Sequence, residues 1–144
     1  MTDIESEKVY RIRNAKSGTY IDMAQDGGTA HAVGNPSNDS DTQKWQLNRI
    51  GERWTLRNVG TGTYLSTTGL QPKNDDGALL RESPFEWHVW EEEAVAQSCR
   101  LCVPDSKKDL EVTNHGSSDP GTRIAVWGRW QGQNQMWFFE ECES

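Results

Sequence analysis

Apolar and polar residues alternate along most of the chain with the period of two that a half-buried strand requires. Tyr10 and Ile12 fall on one face, as do Trp54 with Leu56 and Cys99 with Leu101 and Val103. The same spacing recurs at Trp45 and Leu47, at Trp87 and Val89, and at Trp137 and Phe139. Turn-forming clusters separate these runs: Lys16-Ser17-Gly18, Gln25-Asp26-Gly27-Gly28, Gly60-Thr61-Gly62, Asn74-Asp75-Asp76-Gly77 and Asp119-Pro120-Gly121. Glycine supplies positive φ at such places, and Asn and Asp bond to their own backbone there. The pattern predicts an all-β chain of short strands.

The pattern also repeats. Arg11-Ile12-Arg13-Asn14-Ala15-Lys16-Ser17-Gly18-Thr19-Tyr20-Ile21 is echoed by Thr55-Leu56-Arg57-Asn58-Val59-Gly60-Thr61-Gly62-Thr63-Tyr64-Leu65, and more weakly from Arg100-Leu101-Cys102-Val103 onward. The segments Gln43-Lys44-Trp45, Phe85-Glu86-Trp87 and Gln135-Met136-Trp137 close successive copies. Three units result, 8–50, 51–93 and 94–141, each of about four strands. No unit of this size buries its apolar face alone, so the three are expected to close around a shared axis, which also removes exposed sheet edges.

Composition narrows the class. A chain of 144 residues suits one domain, 1–144, and 7 Trp with 13 Gly at 33% hydrophobic content suits short strands and many turns. The net charge of −7 comes without any Lys/Arg cluster. Binding to nucleic acid, heparin or an anionic membrane needs such a cluster, so these are poor partners and none of them is expected. No apolar run is long enough to insert into a membrane. The acidic start Met1-Thr2-Asp3-Ile4-Glu5-Ser6-Glu7-Lys8 lacks the apolar core of a secretory signal, so a cytoplasmic, reducing location is expected. On that expectation Cys99, Cys102 and Cys142 are free thiols, and the sequon Asn38-Asp39-Ser40 is loop chemistry. Glu91-Glu92-Glu93 reads as a solvated loop between the second and third copies.

Catalytic signals are weak. Cys99-Arg100-Leu101-Cys102 has the spacing of a redox pair, but that chemistry needs a helix start, and these residues fall on a strand. No second Cys/His pair offers zinc spacing. His31, His88 and His115 are scattered, one to a repeat. Asp22 and Glu111 belong to different repeats, too far apart for a glycosidase pair. Residues 74–77 lack the ligand pattern of a calcium loop. No enzyme, metal or cofactor is expected.

Three units closed by Gln43-x-Trp45, Phe85-x-Trp87 and Gln135-x-Trp137 resemble the R-type (ricin B-chain-like) lectins, and the stretch from Gly128 to Trp137 looks most like stand-alone versions from mushroom-forming fungi. The resemblance runs from about Val9 to Glu141. It implies a β-trefoil with pseudo-threefold symmetry. It also implies a shallow pocket in each repeat that binds galactose or N-acetylgalactosamine, and a defence role. Such a pocket combines a carboxylate for two sugar hydroxyls, an aromatic ring for the apolar face of the sugar, and an Asn next to the Gln of Gln-x-Trp. In the third copy these positions fall to Glu111, Trp127, Asn134 and Gln135, with His115 at the rim. In the first copy they fall to Asp22 and to Gly34 or Asn35, with Thr42 in place of the Asn. The second copy has Ser66 for the carboxylate and no Asn or Gln just before Trp87, so no sugar site is expected there.

Plainer readings stand beside these. Gln43, Gln135 and the three Gln-x-Trp tryptophans read first as core structure. Asp22 either caps a turn or takes a sugar. Trp127 and Trp130 could instead form a patch for a protein partner. A trefoil protease inhibitor acting through the loops at Gly34-Asn35-Pro36-Ser37 or Leu70-Gln71-Pro72-Lys73 is the alternative function. On the lectin reading a single pocket is weak, and useful avidity comes from several pockets or a homodimer.

Overall fold

The computed structural model describes residues 4–142. Part of the N-terminal segment read above, Met1 to Asp3, lies outside the described residues. Among the described residues twelve strands alternate with turns: β1 (Val9–Asn14), β2 (Tyr20–Asp26), β3 (Thr29–Asn35), β4 (Trp45–Ile50), β5 (Arg53–Asn58), β6 (Tyr64–Ser66), β7 (Leu79–Arg81), β8 (His88–Glu92), β9 (Ser98–Cys102), β10 (Lys108–Val112), β11 (Thr122–Gly128) and β12 (Trp137–Glu141). Four strands fall in each predicted unit. Every strand pairing is antiparallel.

The pairing closes on itself. It runs from β10 through β11, β3, β7, β6, β5, β4, β1 and β12 to β9, and β9 returns to β10. Strand β2 bridges β1 and β3, and β8 lies on β9. The hairpins β2–β3, β6–β7 and β10–β11 are joined through His31 opposite Leu79, Gly77 opposite Ala125, and Thr122 opposite Gly34. The ring leaves few unpaired edges to recruit another chain.

The alternating residues meet inside. Tyr10, Ile12, Trp45, Leu47, Trp54, Leu56, Trp87, Leu101, Leu110 and Trp137 belong to one buried cluster. The three Gln-x-Trp-position tryptophans are fully buried, and each indole N–H reaches a strand carbonyl: Trp45 to Ile21 at 3.0 Å, Trp87 to Leu65 at 2.9 Å, and Trp137 to Leu110 at 3.0 Å. A buried indole needs such an acceptor, so each tryptophan fixes a strand as well as filling the interior.

The first turns of the echoed segments are also alike. Asn14 Oδ1 accepts from the backbone N–H groups of Lys16 and Ser17, and its amide donates to the Asn134 carbonyl at 2.9 Å. Asn58 Oδ1 accepts from Gly60 and Thr61, and its amide donates to the Thr42 carbonyl at 2.9 Å. At the third such turn Ser106 takes over, donating to the Val103 carbonyl at 2.7 Å and accepting from Lys108 N–H at 3.0 Å.

Two details bear on the sequence reading. Glu92 is not in a solvated loop. It ends β8, and its carboxylate accepts from Arg100 Nε at 2.6 Å. Cys99 and Cys102 are buried on β9, where burial pushes the Cys102 thiol up to about 11. A thiol held protonated in this way is a poor nucleophile. Among the described residues no helix is long and apolar enough to cross a membrane.

Candidate functional site

The third unit places its polar residues by strand alternation. Leu110 and Val112 on β10 face the core, so Asp109 and Glu111 point the other way. Glu111 sits opposite Ala125 on β11, and Trp127, two residues on, lies diagonally across the same face. Glu111 is 8% exposed, whereas Trp127 is 41% exposed. A buried acceptor beside an open aromatic ring is the result.

Gln135 holds that carboxylate. Its Nε2 donates to Glu111 Oε1 at 3.1 Å and to the Gly128 carbonyl at 3.1 Å. Its Oε1 accepts from Arg100 Nη1 at 2.8 Å and from Trp130 N–H at 3.1 Å. Asn134 is buried, and its Nδ2 donates to the Val112 carbonyl at 3.0 Å. Its Oδ1 is buried and meets no hydrogen-bond partner among the described residues. His115 is exposed on Thr113–Gly116, a segment turned by the left-handed backbone of Asn114 and His115.

Burial raises the pKa of Glu111 above the ordinary carboxylate value, against the smaller opposing pull of hydrogen bonding from Gln135 and Trp130. The folded protein therefore holds this proton more tightly than the unfolded chain. Its contribution to stability is full below the unfolded carboxylate pKa and is lost as pH rises through the raised value. Glu111→Gln is thus expected to raise the melting temperature at neutral pH, by about 2–4 °C for each kcal/mol of relieved charge burial. The gap to the wild type should close on acidification. A melting series from pH 3 to pH 7 showing a constant gap would contradict this.

Beneath the site lies a charged network that sequence reasoning missed. Arg100, 3% exposed, donates to Glu92 at 2.6 Å, to Asp109 at 3.0 Å and to the Trp130 carbonyl at 2.9 Å, besides Gln135. Arg129 adds two bonds to the fully buried Asp109, at 2.9 and 3.2 Å. Its guanidinium lies 4.8 Å from the Trp90 ring centre. Arg100 thus fixes the carbonyl of the Gln135 amide that orients Glu111. The only sequence signal was the presence of Arg100 and Asp109 on segments that otherwise read as strands.

The first unit builds a related cluster. Asp22 is buried, with Oδ1 accepting from Met23 N–H at 2.7 Å. Its Oδ2 accepts from Asn35 Nδ2 at 3.0 Å and Gln43 Nε2 at 3.2 Å. Asp22 sits opposite Val33 as Glu111 sits opposite Ala125, so the ladder aligns Asn35, not Gly34, with Trp127. Gly34 faces inward. A Cβ there would come within 2.7 Å of Thr19 Oγ1, so this glycine permits the close approach of the Thr19 side chain in the turn before β2. Asn35 also accepts from Gly121 N–H at 2.8 Å, tying this unit to the third. In the second unit Ser66 turns its hydroxyl to the Thr67 carbonyl at 3.3 Å. Phe85, in the Gln place, packs edge-on against Trp87 with ring centres 4.9 Å apart.

An all-β ring pinned by three buried tryptophans, with Gln–carboxylate pairs on its outer face, defines a trefoil-type lectin domain. The chain belongs to the ricin-type β-trefoil lectin domain-like family, whose model matches residues 3–82 and 42–127. Among solved structures it is similar to the ricin B-like lectin of Macrolepiota procera in complex with lactose. That similarity is 33% identity over 98% of this chain and 100% of that one, with a TM-score of 0.92. The Rhizoctonia solani agglutinin shares the fold at 20% identity, with a TM-score of 0.86 over 99% of this chain and 100% of that one. So does ThreeFoil, a designed 3-fold symmetric protein, at 18% identity, with a TM-score of 0.84 over 93% and 99% of the two chains. No curated protein sequence matches the chain significantly.

Proposed function

We propose that the protein is a cytoplasmic, non-enzymatic lectin, one domain of three pseudo-threefold-related repeats, that binds glycans ending in galactose or N-acetylgalactosamine. The main pocket is in the third repeat. Glu111 accepts two sugar hydroxyls, Trp127 stacks on the apolar face, Asn134 and Gln135 complete the polar wall, and His115 forms the rim. Asp22 and Asn35 form a second, weaker pocket in the first repeat, with Gly34 packed behind them against Thr19. The observation that carries this reading is the buried Glu111 carboxylate, oriented by Gln135, beside the half-exposed Trp127. A charged acceptor makes the stronger hydrogen bonds, and a flat ring matches the apolar face of a pyranose at low entropic cost. In the first repeat Asn35 already bonds Asp22 and offers no ring, which favours the third. The lactose complex of the Macrolepiota procera lectin supports the choice of galactose.

A single shallow pocket of this kind gives a Kd of about 0.1–1 mM. Two pockets, or a dimer, would raise the avidity. Trp127→Ala is expected to cost about 1–2 kcal/mol of binding, the scale of one lost aromatic contact. A glycan array followed by titration calorimetry tests it. Binding to galactose-type glycans that disappears in the variant supports the third-repeat pocket. Binding that survives moves the site to Asp22, and no binding by folded wild type defeats the lectin reading.

A further inference from the structure

Trp130 is 46% exposed although its backbone is fixed on both sides. Its N–H donates to Gln135 Oε1 at 3.1 Å, and its carbonyl accepts from the buried Arg100 at 2.9 Å. Trp130 reaches the pocket carboxylate both through its own side chain, whose hydrogen bonding opposes the rise in the Glu111 pKa, and through Gln135, whose amide donates to Glu111 at 3.1 Å. The indole itself is not loose. It lies on the backbone of Gly132, where an added Cβ would come within 2.2 Å of the ring. One side of the indole is seated on main chain, and much of the remaining surface faces solvent.

Two open aromatic surfaces thus stand beside Glu111: Trp127 on the same face of the β10–β11 ladder, and Trp130, whose side chain reaches the carboxylate. A single pyranose needs one such surface. A ring already seated gives up little freedom on binding, so a second contact on it adds to affinity at low cost.

We propose that Trp130 is a second stacking platform of the third-repeat site, which selects a glycan of at least two sugars over a monosaccharide. The terminal sugar takes Glu111 and Trp127, and the next ring lies on Trp130. This rests on the lectin reading above. Gly132 is the residue that keeps the platform in place, because any larger side chain lifts the indole.

The test compares methyl β-galactopyranoside with lactose and its differently linked isomers, titrated into wild type, Trp130→Ala and Gly132→Ala. The wild type should bind at least one disaccharide about three- to tenfold more tightly than the monosaccharide. Both variants should bring that ratio close to one. Gly132→Ala keeps the indole but displaces it, and its backbone φ of −70° accepts alanine, so it guards against a misfolded Trp130→Ala. A role exerted only through Glu111 weakens both classes of sugar equally and leaves the ratio intact, which overturns the platform. No preference for any disaccharide in the wild type overturns it too. If the wild type binds neither class, the lectin reading itself fails and the platform with it.

Discussion

Arg100→Ala is expected to destabilise the fold by about 3–5 kcal/mol, the scale seen when one partner is removed from a buried charge cluster. The guanidinium is held by Glu92, Asp109, Gln135 and the Trp130 carbonyl, and its side chain is 4% exposed. Removing it strips a donor from four acceptors at once. Arg129 still neutralises the fully buried Asp109. Glu92 fares worse, because Arg100 is its main support and holds its pKa below the ordinary carboxylate value. A lowered value gives stability that is present above the unfolded pKa and is lost as pH falls through the folded one. Acid sensitivity from this pair should therefore diminish in the variant. Urea unfolding at neutral pH reads the main effect. A loss below about 1 kcal/mol would mean that the cavity hydrates and that the network is an ordinary surface ion cluster. The variant should also lose third-repeat binding out of proportion to its stability, since the Gln135 and Trp130 anchors go with it, while the Asp22 pocket keeps its bonds.

The legible and illegible parts of this molecule divide along the same physical line. Trp45, Trp87 and Trp137, with their companions two residues on, were readable because strand alternation leaves a period-two trace in the sequence itself. The echo of Asn14 in Asn58 was readable because each asparagine satisfies backbone groups of its own turn, a local requirement. Glu111, Trp127, Asn134 and Gln135 were chosen by family resemblance; the fold joins Gln135 to Glu111 and puts Trp127 on the same ladder face, while Asn134 bonds the Val112 carbonyl. What could not be read depends on distant partners. Arg100 is bound to residues 92, 109, 130 and 135, and β9 is buried along its whole length, so no alternation marks its polar member. Glu92 was misread for the same reason, since its charge suggested solvent and its partner lies across a turn. The choice between Gly34 and Asn35 needed the ladder, because the β2–β3 and β10–β11 connections differ in length. Asn35 holds the ladder position of Trp127 and turns its amide to Asp22.

Trp137→Ala should cost about 3–5 kcal/mol, the usual loss for emptying a fully buried aromatic site. More informative is Trp137→Phe, which keeps much of the packing but leaves the Leu110 carbonyl without its indole donor. An unsatisfied buried acceptor costs about 1–3 kcal/mol. Leu110 lies between Asp109 and Glu111, so freeing its carbonyl loosens the strand that carries the pocket carboxylate. Trp87→Phe is the control. It frees the Leu65 carbonyl in the same way, in the repeat where Ser66 and Phe85 stand at the carboxylate and Gln positions. Guanidinium unfolding should give the two phenylalanine variants similar losses. Glycan titration, below the melting range of both, should show weakened binding in Trp137→Phe alone. Equal weakening would mean that the indole bonds act only through global stability. An unchanged affinity in both would mean that Glu111 is held by Gln135 alone, and that the strand beneath it has enough other bonds to keep its place.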